Sequence, residues 1–380
     1  MGMGGVQRLY NIPKILKKLG WDVEICTPYP PYSYPKDNTS FKLNDLNIKR
    51  SFCPDPLHIL PGKASVPGAG KRDYLSFPDN KVFWLPFLWT KIKKPDIIVI
   101  SCPPFSPALT MFAVKNIPFI IDYRDQWTGS YLGEYAFKIE EHLAKKIEKK
   151  CINKASAVVT VTKRIGEYLK EQYPENKNKI HLIRNGYSEE SFPGKIDKQK
   201  REEIILTYMG TFNEFEKPDL IFKGLKRLTE ISPDLGSKIL FKHIGHSRKK
   251  DIKQIADTIG FRRFISLGYK PHREALYELT RSDILILTGG KGENSKWHVP
   301  GKTYEYLRSG IPIIAITDNP ELNTLIDSAG LIVNFDKEAI ARAIQKIVRN
   351  PGLFKPVSNY KKYQWENLAE KYSKLLSSLL

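Results

Sequence analysis

Short runs of apolar residues alternate with amphipathic stretches along almost the whole chain. Most of the runs are β-branched and apolar at successive positions, which is typical of parallel strands covered by helices on both faces. The runs that we predict as strands are Val23–Thr27, Ile97–Ser101, Phe119–Asp122, Ala157–Val161, Ile180–Ile183, Ile204–Met209, Ile239–Ile244, Phe264–Leu267, Ile284–Leu287, Pro312–Ile316 and Leu331–Asn334. The predicted helices include Arg8–Lys18, Phe105–Val114, Lys138–Lys154, Arg164–Gln172, Leu220–Leu228, His272–Leu279, Lys302–Arg308 and Lys337–Val348. This alternation predicts an α/β protein with doubly wound parallel sheets.

The length of 380 residues is about right for two domains. The natural break is Ser188–Glu203, which is polar and holds the turn pair Pro193–Gly194. We therefore predict two Rossmann-like domains, residues 1–190 and 191–357, followed by a C-terminal helical segment, residues 358–380.

A glycine-rich segment opens the chain. Gly4 and Gly5 precede the first predicted helix, where backbone N–H groups can approach phosphate or sugar oxygens. The alternative is a tight turn into the helix. Such a loop normally follows a strand, and no strand precedes it here. The sequence therefore predicts an N-terminal sheet whose first strand is missing.

The balance of charge is strongly positive, with 61 Lys and Arg against 41 Asp and Glu and a net charge of +20. Such a charge can attract nucleic acid, an anionic membrane or phosphate-bearing substrates. We expect no nucleic acid, because no aromatic RNA-binding pattern, zinc-finger spacing or basic tail is present. The basic helices Arg8–Lys18 and Lys138–Lys154 are either solvated faces or contacts for anionic lipid headgroups.

Cysteine usage and hydropathy indicate the cellular setting. The four cysteines are widely spaced and form no CxxC pair, which argues against a disulfide framework or a zinc site. No apolar run approaches the ~18–20 residues that cross a bilayer, and no signal peptide is visible. We expect a cytoplasmic protein, peripheral at the inner face of the membrane if the basic helices bind lipid. No acidic motif such as DxD ends a strand, so we expect neither a metal nor another cofactor.

Two segments carry candidate chemistry at the ends of predicted strands. Asp122, Arg124 and Asp125 follow a buried strand, and open α/β sheets bind ligands at the carboxyl ends of their strands. The alternative is an ion-pair cluster whose members satisfy one another.

The second segment is Val299–Pro312, in which a Pro-Gly loop precedes a short helix and Gly310 ends it. Lys302 and Glu305 are three residues apart and therefore share one helical face. An ammonium there can help to neutralise a diphosphate, and a carboxylate can accept two hydrogen bonds from a ribose diol. The alternative is a surface ion pair, which would not explain the flanking Pro-Gly and Gly-Ile-Pro.

Several segments in a fixed order together resemble the family 4 glycosyltransferases of the GT-B fold. The resemblance covers nearly the whole chain and rests on Ser101–Ser106, Asp122–Trp127, Asn185–Tyr187, Tyr208–Thr211, Gly268–Lys270, Val299–Pro312 and Tyr363–Glu366. It implies two Rossmann-like domains facing a cleft, with the last helix returning to the first domain. It also implies transfer of a sugar from a nucleotide donor with retention of configuration.

The resemblance assigns roles to individual residues. Glu305 matches the second glutamate of the EX7E motif and would hold the donor ribose, with Lys302 beside it. Lys217 resembles the basic residue that grips the donor diphosphate. The remaining donor-side positions are Gly4 and Gly5 in the glycine loop and Gly268, Tyr269 and Lys270 in the loop around the base.

Two positions depart from the family pattern. Trp297 stands where the first glutamate of EX7E is expected, and Thr211 stands where many members carry arginine after the strand-end glycine. Both lie on the donor side, and the second departure leaves more of the charge stabilisation to Lys217.

The implied reaction has its donor in the second domain and its acceptor in the first. Lys217 and Lys302 would stabilise the leaving diphosphate, and Asp125 would orient the acceptor beside Asp122 and Arg124. The substrates would be a hexose-type nucleotide sugar and a glycan or lipid-linked acceptor of the cell envelope. Two alternatives stay open: a nucleotide-sugar epimerase-type enzyme of the same fold, or a basic binding or scaffold protein with an inactive site.

Overall fold

The computed structural model describes residues 4–29, 45–54, 77–129, 135, 137–194, 201–212, 218–247 and 249–380. The chain divides into two units, of which the second is Gly186–Gln364. The first unit contains the chain up to Asn185 together with Trp365–Leu380. The second unit therefore begins just before the polar segment Ser188–Glu203, and the last helix folds with the first unit.

The strands are β1 (Glu24–Pro28), β2 (Asn47–Ser51), β3 (Ile98–Cys102), β4 (Phe119–Tyr123), β5 (Ala157–Thr160), β6 (Ile180–Leu182), β7 (Ile204–Met209), β8 (Ile239–Ile244), β9 (Phe264–Ser266), β10 (Ile284–Thr288), β11 (Ile313–Ile316) and β12 (Gly330–Val333). The α-helices are α1 (Gly4–Lys18), α2 (Leu85–Trp89), α3 (Thr110–Ala113), α4 (Lys138–Lys154), α5 (Lys163–Gln172), α6 (Pro218–Ile231), α7 (Pro233–Gly236), α8 (Lys249–Ile259), α9 (His272–Thr280), α10 (Lys302–Ser309), α11 (Pro320–Ile326), α12 (Lys337–Arg349) and α13 (Trp365–Ser377).

The first unit contains two separate parallel sheets. Strands β3, β4, β5 and β6 pair in that order, whereas β1 and β2 pair with each other. Helix α1 buries Ile12, Ile15 and Leu16 against the four-stranded sheet, and α13 adds Trp365 to the same apolar cluster. The chain start at residues 1–3 lies outside the described ranges, so the predicted absence of a first strand stays a prediction.

The second unit is a six-stranded parallel sheet in the order β12-β11-β10-β7-β8-β9. Successive residues of β10 enter different apolar clusters: Ile286 packs with α6 and α12, and Leu287 packs with α10 and α11. Helices therefore cover both faces of the sheet, as alternation along a buried strand requires. The strand order reverses between β7 and β10, and the carboxyl ends at such a reversal are where open α/β sheets bind ligands.

The structure confirms the prediction of an α/β protein with parallel sheets in two domains, with two kinds of difference. Strand β2 and helices α2, α7, α8 and α11 are additional to the predicted elements. The predicted helix Phe105–Val114 is a 3-10 turn followed by the single turn α3, because Val114 is extended and Pro118 follows closely.

Among the described helices, none is both long and apolar enough to cross a membrane.

Candidate active site

A row of glycines lies at the carboxyl ends of β7, β8 and β9. Gly210 N–H donates to the Ile244 carbonyl at 2.8 Å, and Gly245 N–H donates to the Gly268 carbonyl at 2.9 Å. A Cβ atom on Gly245 would lie 2.0 Å from the Gly210 carbonyl oxygen, so no side chain fits between these strand ends. The edge next to the strand-order reversal therefore presents bare backbone, which a ligand can approach closely.

Lys302 places its ammonium at this edge. Its Nζ donates to the Tyr208 hydroxyl at 2.9 Å and lies 4.0 Å from the centroid of the Tyr208 ring, within the range of a cation–π contact. The same nitrogen is 2.9 Å from the position that a Cβ atom on Gly210 would occupy. Lys302 is thus held at the end of β7 by an aromatic side chain of that strand.

The aromatic support beneath Lys302 extends into β8. The Tyr208 ring stacks on Phe212, and Phe212 stacks on His243, with ring centroids 4.4 and 4.7 Å apart. Burial lowers the pKa of His243, and the Lys302 ammonium lowers it further, while the hydrogen bond to the Gly210 carbonyl opposes the shift. A neutral His243 donates from Nε2 to that carbonyl at 2.9 Å. The supporting ring therefore adds no positive charge next to Lys302.

Glu305 lies one turn further along α10 and is buried, with 8% of its surface exposed. Its Oε1 accepts a hydrogen bond from Nε2 of His272, the first residue of α9, at 2.6 Å. His272 is not among the predicted site residues. The signal that could have found it is its position at a helix start directly after the strand-end loop Gly268–Lys270.

Helix α10 is fixed to the sheet by Tyr306. The Tyr306 hydroxyl accepts from Met209 N–H at 3.0 Å and donates to the Ile286 carbonyl at 3.3 Å, so it joins the helix to β7 and β10. Gly310 ends the helix in the left-handed conformation, with φ of 67°. These contacts set the rotation of α10 that brings Lys302 and Glu305 to the carboxyl edge.

The other predicted donor-side residues of the second unit lie on loops at the same edge. Thr211 is exposed directly after Gly210. The Tyr269 ring stacks on His246 at 4.6 Å, and Lys270 pairs with Glu274 at 3.7 Å. Lys217 lies outside the described residues, so its predicted contact with the diphosphate stays a prediction.

Trp297 is half-buried at the end of a 3-10 turn, Glu293–Trp297, in the loop after β10. Asp318 accepts from Gly292 N–H and from the Ser295 hydroxyl, and Asn319 donates to the carbonyls of Ser295 and His298. The loop that carries Trp297 is therefore braced by the end of the next strand.

Asp122 lies in a buried ion pair with Arg8 in the first unit. Its two carboxylate oxygens accept from Nε and Nη2 of Arg8 at 2.8 and 2.9 Å, and both residues are buried. Arg8 also donates to the carbonyls of Ile183 and Arg184. Both Asp122 oxygens are therefore paired with Arg8, and the predicted acceptor-side role of Asp122 stays a prediction. The burial corrects one expectation: Arg8 is not on a solvated or lipid-facing surface of α1.

Arg124 and Asp125 follow β4 in a loop that is not buried as deeply. The Arg124 guanidinium donates to the Pro103 carbonyl and packs over Gly5, where a Cβ atom would lie 2.7 Å from Nη1. Gly4 begins α1 beside it. Asp125 is half-buried between Arg124 and the buried Gln126. The structure thus joins the predicted glycine loop to the predicted acceptor loop within the first unit.

A buried glutamate anchors the far end of this loop. Glu148 of α4 accepts hydrogen bonds from the hydroxyls of Thr128, Tyr173 and Tyr123. Burial raises the pKa of Glu148 to about 7, while these three hydrogen bonds oppose the shift. Trp127, next to Thr128, stacks on Phe105 at 4.9 Å. Asp125 therefore lies in a loop held at Arg124 on one side and at Thr128 on the other.

Comparison with known proteins agrees with this fold. Residues 3–191 match Glycosyltransferase Family 4, and residues 189–377 match Glycosyl transferases group 1. A search of curated proteins finds no match to the sequence.

Among the similar solved structures is sucrose-phosphate synthase from Thermosynechococcus elongatus, with 14% identity, coverage of 98% of this chain and 92% of that chain, and a TM-score of 0.69. WaaG, a glycosyltransferase involved in lipopolysaccharide biosynthesis, has 12% identity, coverage of 98% and 93%, and a TM-score of 0.62. The S. aureus MnaA-UDP co-structure has 12% identity, coverage of 98% and 95%, and a TM-score of 0.56. At these identities the structures show a shared fold.

The two α/β units with parallel sheets share the GT-B fold of the glycosyltransferases among these structures. With both halves of the sequence matched to glycosyltransferase families, the chain belongs to the family 4 glycosyltransferases and is an enzyme of that type.

Proposed function

We propose that this enzyme transfers a hexose-type sugar from a nucleotide-diphosphate donor to a glycan or lipid-linked acceptor with retention of configuration. The observation that carries the proposal is the placement of Lys302 and Glu305 beside bare glycine backbone at the end of β7. A cation and a carboxylate one helical turn apart suit a diphosphate and a ribose diol, respectively.

In the proposed reaction the bond between the anomeric carbon and the donor phosphate oxygen breaks, and a bond to the acceptor hydroxyl oxygen forms on the same face. The acceptor proton passes to the departing phosphate oxygen. Negative charge develops on the leaving diphosphate, and Lys302 with Lys217 stabilises it through charges that are in place before the reaction. Asp125 orients the acceptor from the loop after β4.

Within the second unit, the nucleotide is proposed to lie with its base at Gly268–Lys270 and its sugar near Trp297, with Thr211 on the diphosphate side. The exposed Tyr269 ring, already stacked on His246, offers an aromatic face for a base. The UDP co-structure of S. aureus MnaA supports a uridine nucleotide as the first donor to test.

An envelope polysaccharide or glycolipid is the proposed product, and WaaG, involved in lipopolysaccharide biosynthesis, supports this context. Helix α4 suits a peripheral contact with an anionic membrane on the cytoplasmic side. It exposes Ile139 and Leu143, which are 68% and 44% exposed, on the face opposite the buried Ala144 and Glu148. Lysines flank this apolar stripe along the whole helix. Sedimentation with vesicles of phosphatidylglycerol should be lost in Ile139→Glu if this face binds lipid.

No metal is assigned a role in the proposed reaction, because the lysines supply the positive charge. Within the described residues, no group of three or more His, Cys, Asp and Glu side chains is placed to hold a metal ion. We expect turnover to be unchanged by EDTA, and a loss that Mg²⁺ restores would contradict this part of the proposal.

The test is a panel of nucleotide sugars incubated with and without glycan and lipid-linked acceptors, followed by mass spectrometry. We expect one donor to release its nucleoside diphosphate and to add one hexose mass to an acceptor. A sugar altered without an acceptor would identify the epimerase-type alternative. Release of nucleoside diphosphate from no donor, together with salt-sensitive binding of RNA or DNA, would favour a scaffold.

Lys217→Ala tests the role that the family resemblance gives to the loop after β7. We expect turnover to fall by roughly an order of magnitude or more, since the variant lacks an ammonium that stabilises the negative charge on the leaving diphosphate. Transfer at the wild-type rate by a folded variant would refute the role.

A further inference from the structure

His272 and Glu305 belong to different helices of the second unit and meet at the carboxyl edge of its sheet. His272 Nε2 lies 2.6 Å from Glu305 Oε1, and the two side chains are 20% and 10% exposed. Helix α9 begins at His272 because Pro271 takes the preceding cap position, and Ala275 N–H donates to the Pro271 carbonyl at 2.9 Å. The histidine therefore enters the site from a rigid helix start.

The neighbours of His272 on α9 are directed to other partners. Arg273 donates to the Glu190 carbonyl at 2.9 Å, and Glu274 pairs with Lys270 at 3.7 Å. Among the described hydrogen bonds of this helical turn, the one to Glu305 comes from the side chain of His272. Arg273 gives a matched control, since it is adjacent in sequence and engaged elsewhere.

The contact decides where the Glu305 carboxylate points. Glu305 has three rotatable side-chain bonds, and Lys302 lies three residues before it on the same face of α10. Without a fixed donor, the carboxylate can turn toward the Lys302 ammonium and form an i,i+3 ion pair. A hydrogen bond from His272 to Oε1 opposes this rotation. Because each carboxylate oxygen has two lone pairs, both oxygens can still accept a ligand hydroxyl.

We propose that His272 is a positioning residue that holds Glu305 toward the ribose diol and thereby sets the preference of this site for ribonucleotides over deoxyribonucleotides. The inference rests on the proposed donor site. A hydrogen bond from a ribose hydroxyl to a charged group is stronger than one to a neutral group. A ribose hydroxyl that donates to a fixed, ionised carboxylate therefore adds more to the binding free energy of the nucleotide than one that donates to a mobile or lysine-paired carboxylate.

Calorimetric titration of the full chain with UDP, GDP and ADP and with their 2′-deoxy counterparts tests the inference. We expect the wild type to bind one ribonucleotide more tightly than its 2′-deoxy form. In His272→Ala this preference should fall by roughly tenfold, with little change for the deoxynucleotide. His272→Gln, whose amide nitrogen can reach the same oxygen, should retain most of the preference, and Arg273→Ala should retain all of it.

A double variant isolates the route of the effect. In a Glu305→Ala background, His272→Ala should leave the ribose preference unchanged, since its partner is gone. Two results would overturn the inference: an equal loss of affinity for the ribonucleotide and its 2′-deoxy form in His272→Ala, or an unchanged preference between them. His272 would then have only a structural role. If the wild type binds none of the nucleotides, the proposed donor site itself fails, and the inference fails with it.

Discussion

Arg8 and Asp122 form a buried, bidentate ion pair that joins helix α1 to the end of β4. Arg8 Nε and Nη2 donate to the two oxygens of Asp122 at 2.8 and 2.9 Å, and Arg8 is 2% exposed. The remaining donor Nη1 contacts the Ile183 and Arg184 carbonyls. The pair therefore ties α1, β4 and the segment after β6 together below the loop of Arg124 and Asp125.

Removing one partner of this pair should destabilise the fold strongly. Asp122→Ala leaves the Arg8 guanidinium buried without its counter-charge, and we expect the free energy of unfolding to fall by about 3–5 kcal/mol. Urea denaturation measures the change. Glu141→Ala, which removes an exposed pair with Lys145 on α4, is the control and should cost less than about 1 kcal/mol. A similar small cost for Asp122→Ala would contradict the burial of the pair.

Glu148 should make stability depend on pH. Its pKa is about 7 in the folded chain, against an ordinary value of 4.5, because burial disfavours the charged form. The folded chain therefore binds more protons than the unfolded chain between these values, and the free energy of unfolding falls as the pH rises through this window. Glu148→Gln lacks this pH-dependent contribution. Between pH 4.5 and 8 the free energy of unfolding of the wild type should therefore fall by up to about 3 kcal/mol relative to that of the variant.

Denaturant unfolding of the wild type and Glu148→Gln at several pH values provides the comparison. Glu141→Gln, on the exposed side of the same helix, should follow the wild type closely. Parallel curves for wild type and Glu148→Gln would show that folding does not raise the pKa of Glu148 and would contradict the prediction.

The close approach of Gly245 to Gly210 should forbid a side chain. In Gly245→Ala the new Cβ atom would meet the Gly210 carbonyl oxygen at 2.0 Å, and that oxygen also accepts from His243. We expect a cost of more than about 2 kcal/mol in the free energy of unfolding, because backbone must shift. Gly352→Ala, where no atom lies within 4 Å of the added Cβ, should change stability by less than about 0.5 kcal/mol. Equal effects would contradict the geometry of the strand ends.

The buried strands and long helices could be predicted from sequence because their patterns are local. Ile204–Met209, Ile239–Ile244 and Lys138–Lys154 have the predicted bounds. Strand β2 was not predicted because Asn47–Ser51 has a single apolar residue and is mostly half-exposed. Helix α8 was not predicted although its pattern is visible in the sequence. Its apolar residues have helical spacing, at Ile252, Ile255, Ala256 and Ile259.

The candidate site could be predicted only as far as short spacing reaches. Lys302 and Glu305 share a helical face because they are three residues apart, whichever tertiary structure surrounds them. The environment of Asp122 is decided by Arg8, 114 positions away, and that of Glu305 by His272, 33 positions away. Partners so distant in sequence come together only through the sheet, so the spacing of residues carries no sign of them.

The proposed donor site requires that Lys302 binds the donor diphosphate at the carboxyl edge of β7. The most direct measurement is kcat/KM for the donor identified by the panel, in Lys302→Met and in the control Lys296→Met. Methionine keeps the length that packs over Tyr208, whereas Lys296 forms an exposed i,i+3 pair with Glu293. We expect Lys302→Met to lose at least about tenfold and Lys296→Met to stay within about twofold of the wild type. Wild-type kcat/KM in a folded Lys302→Met enzyme would contradict the claim.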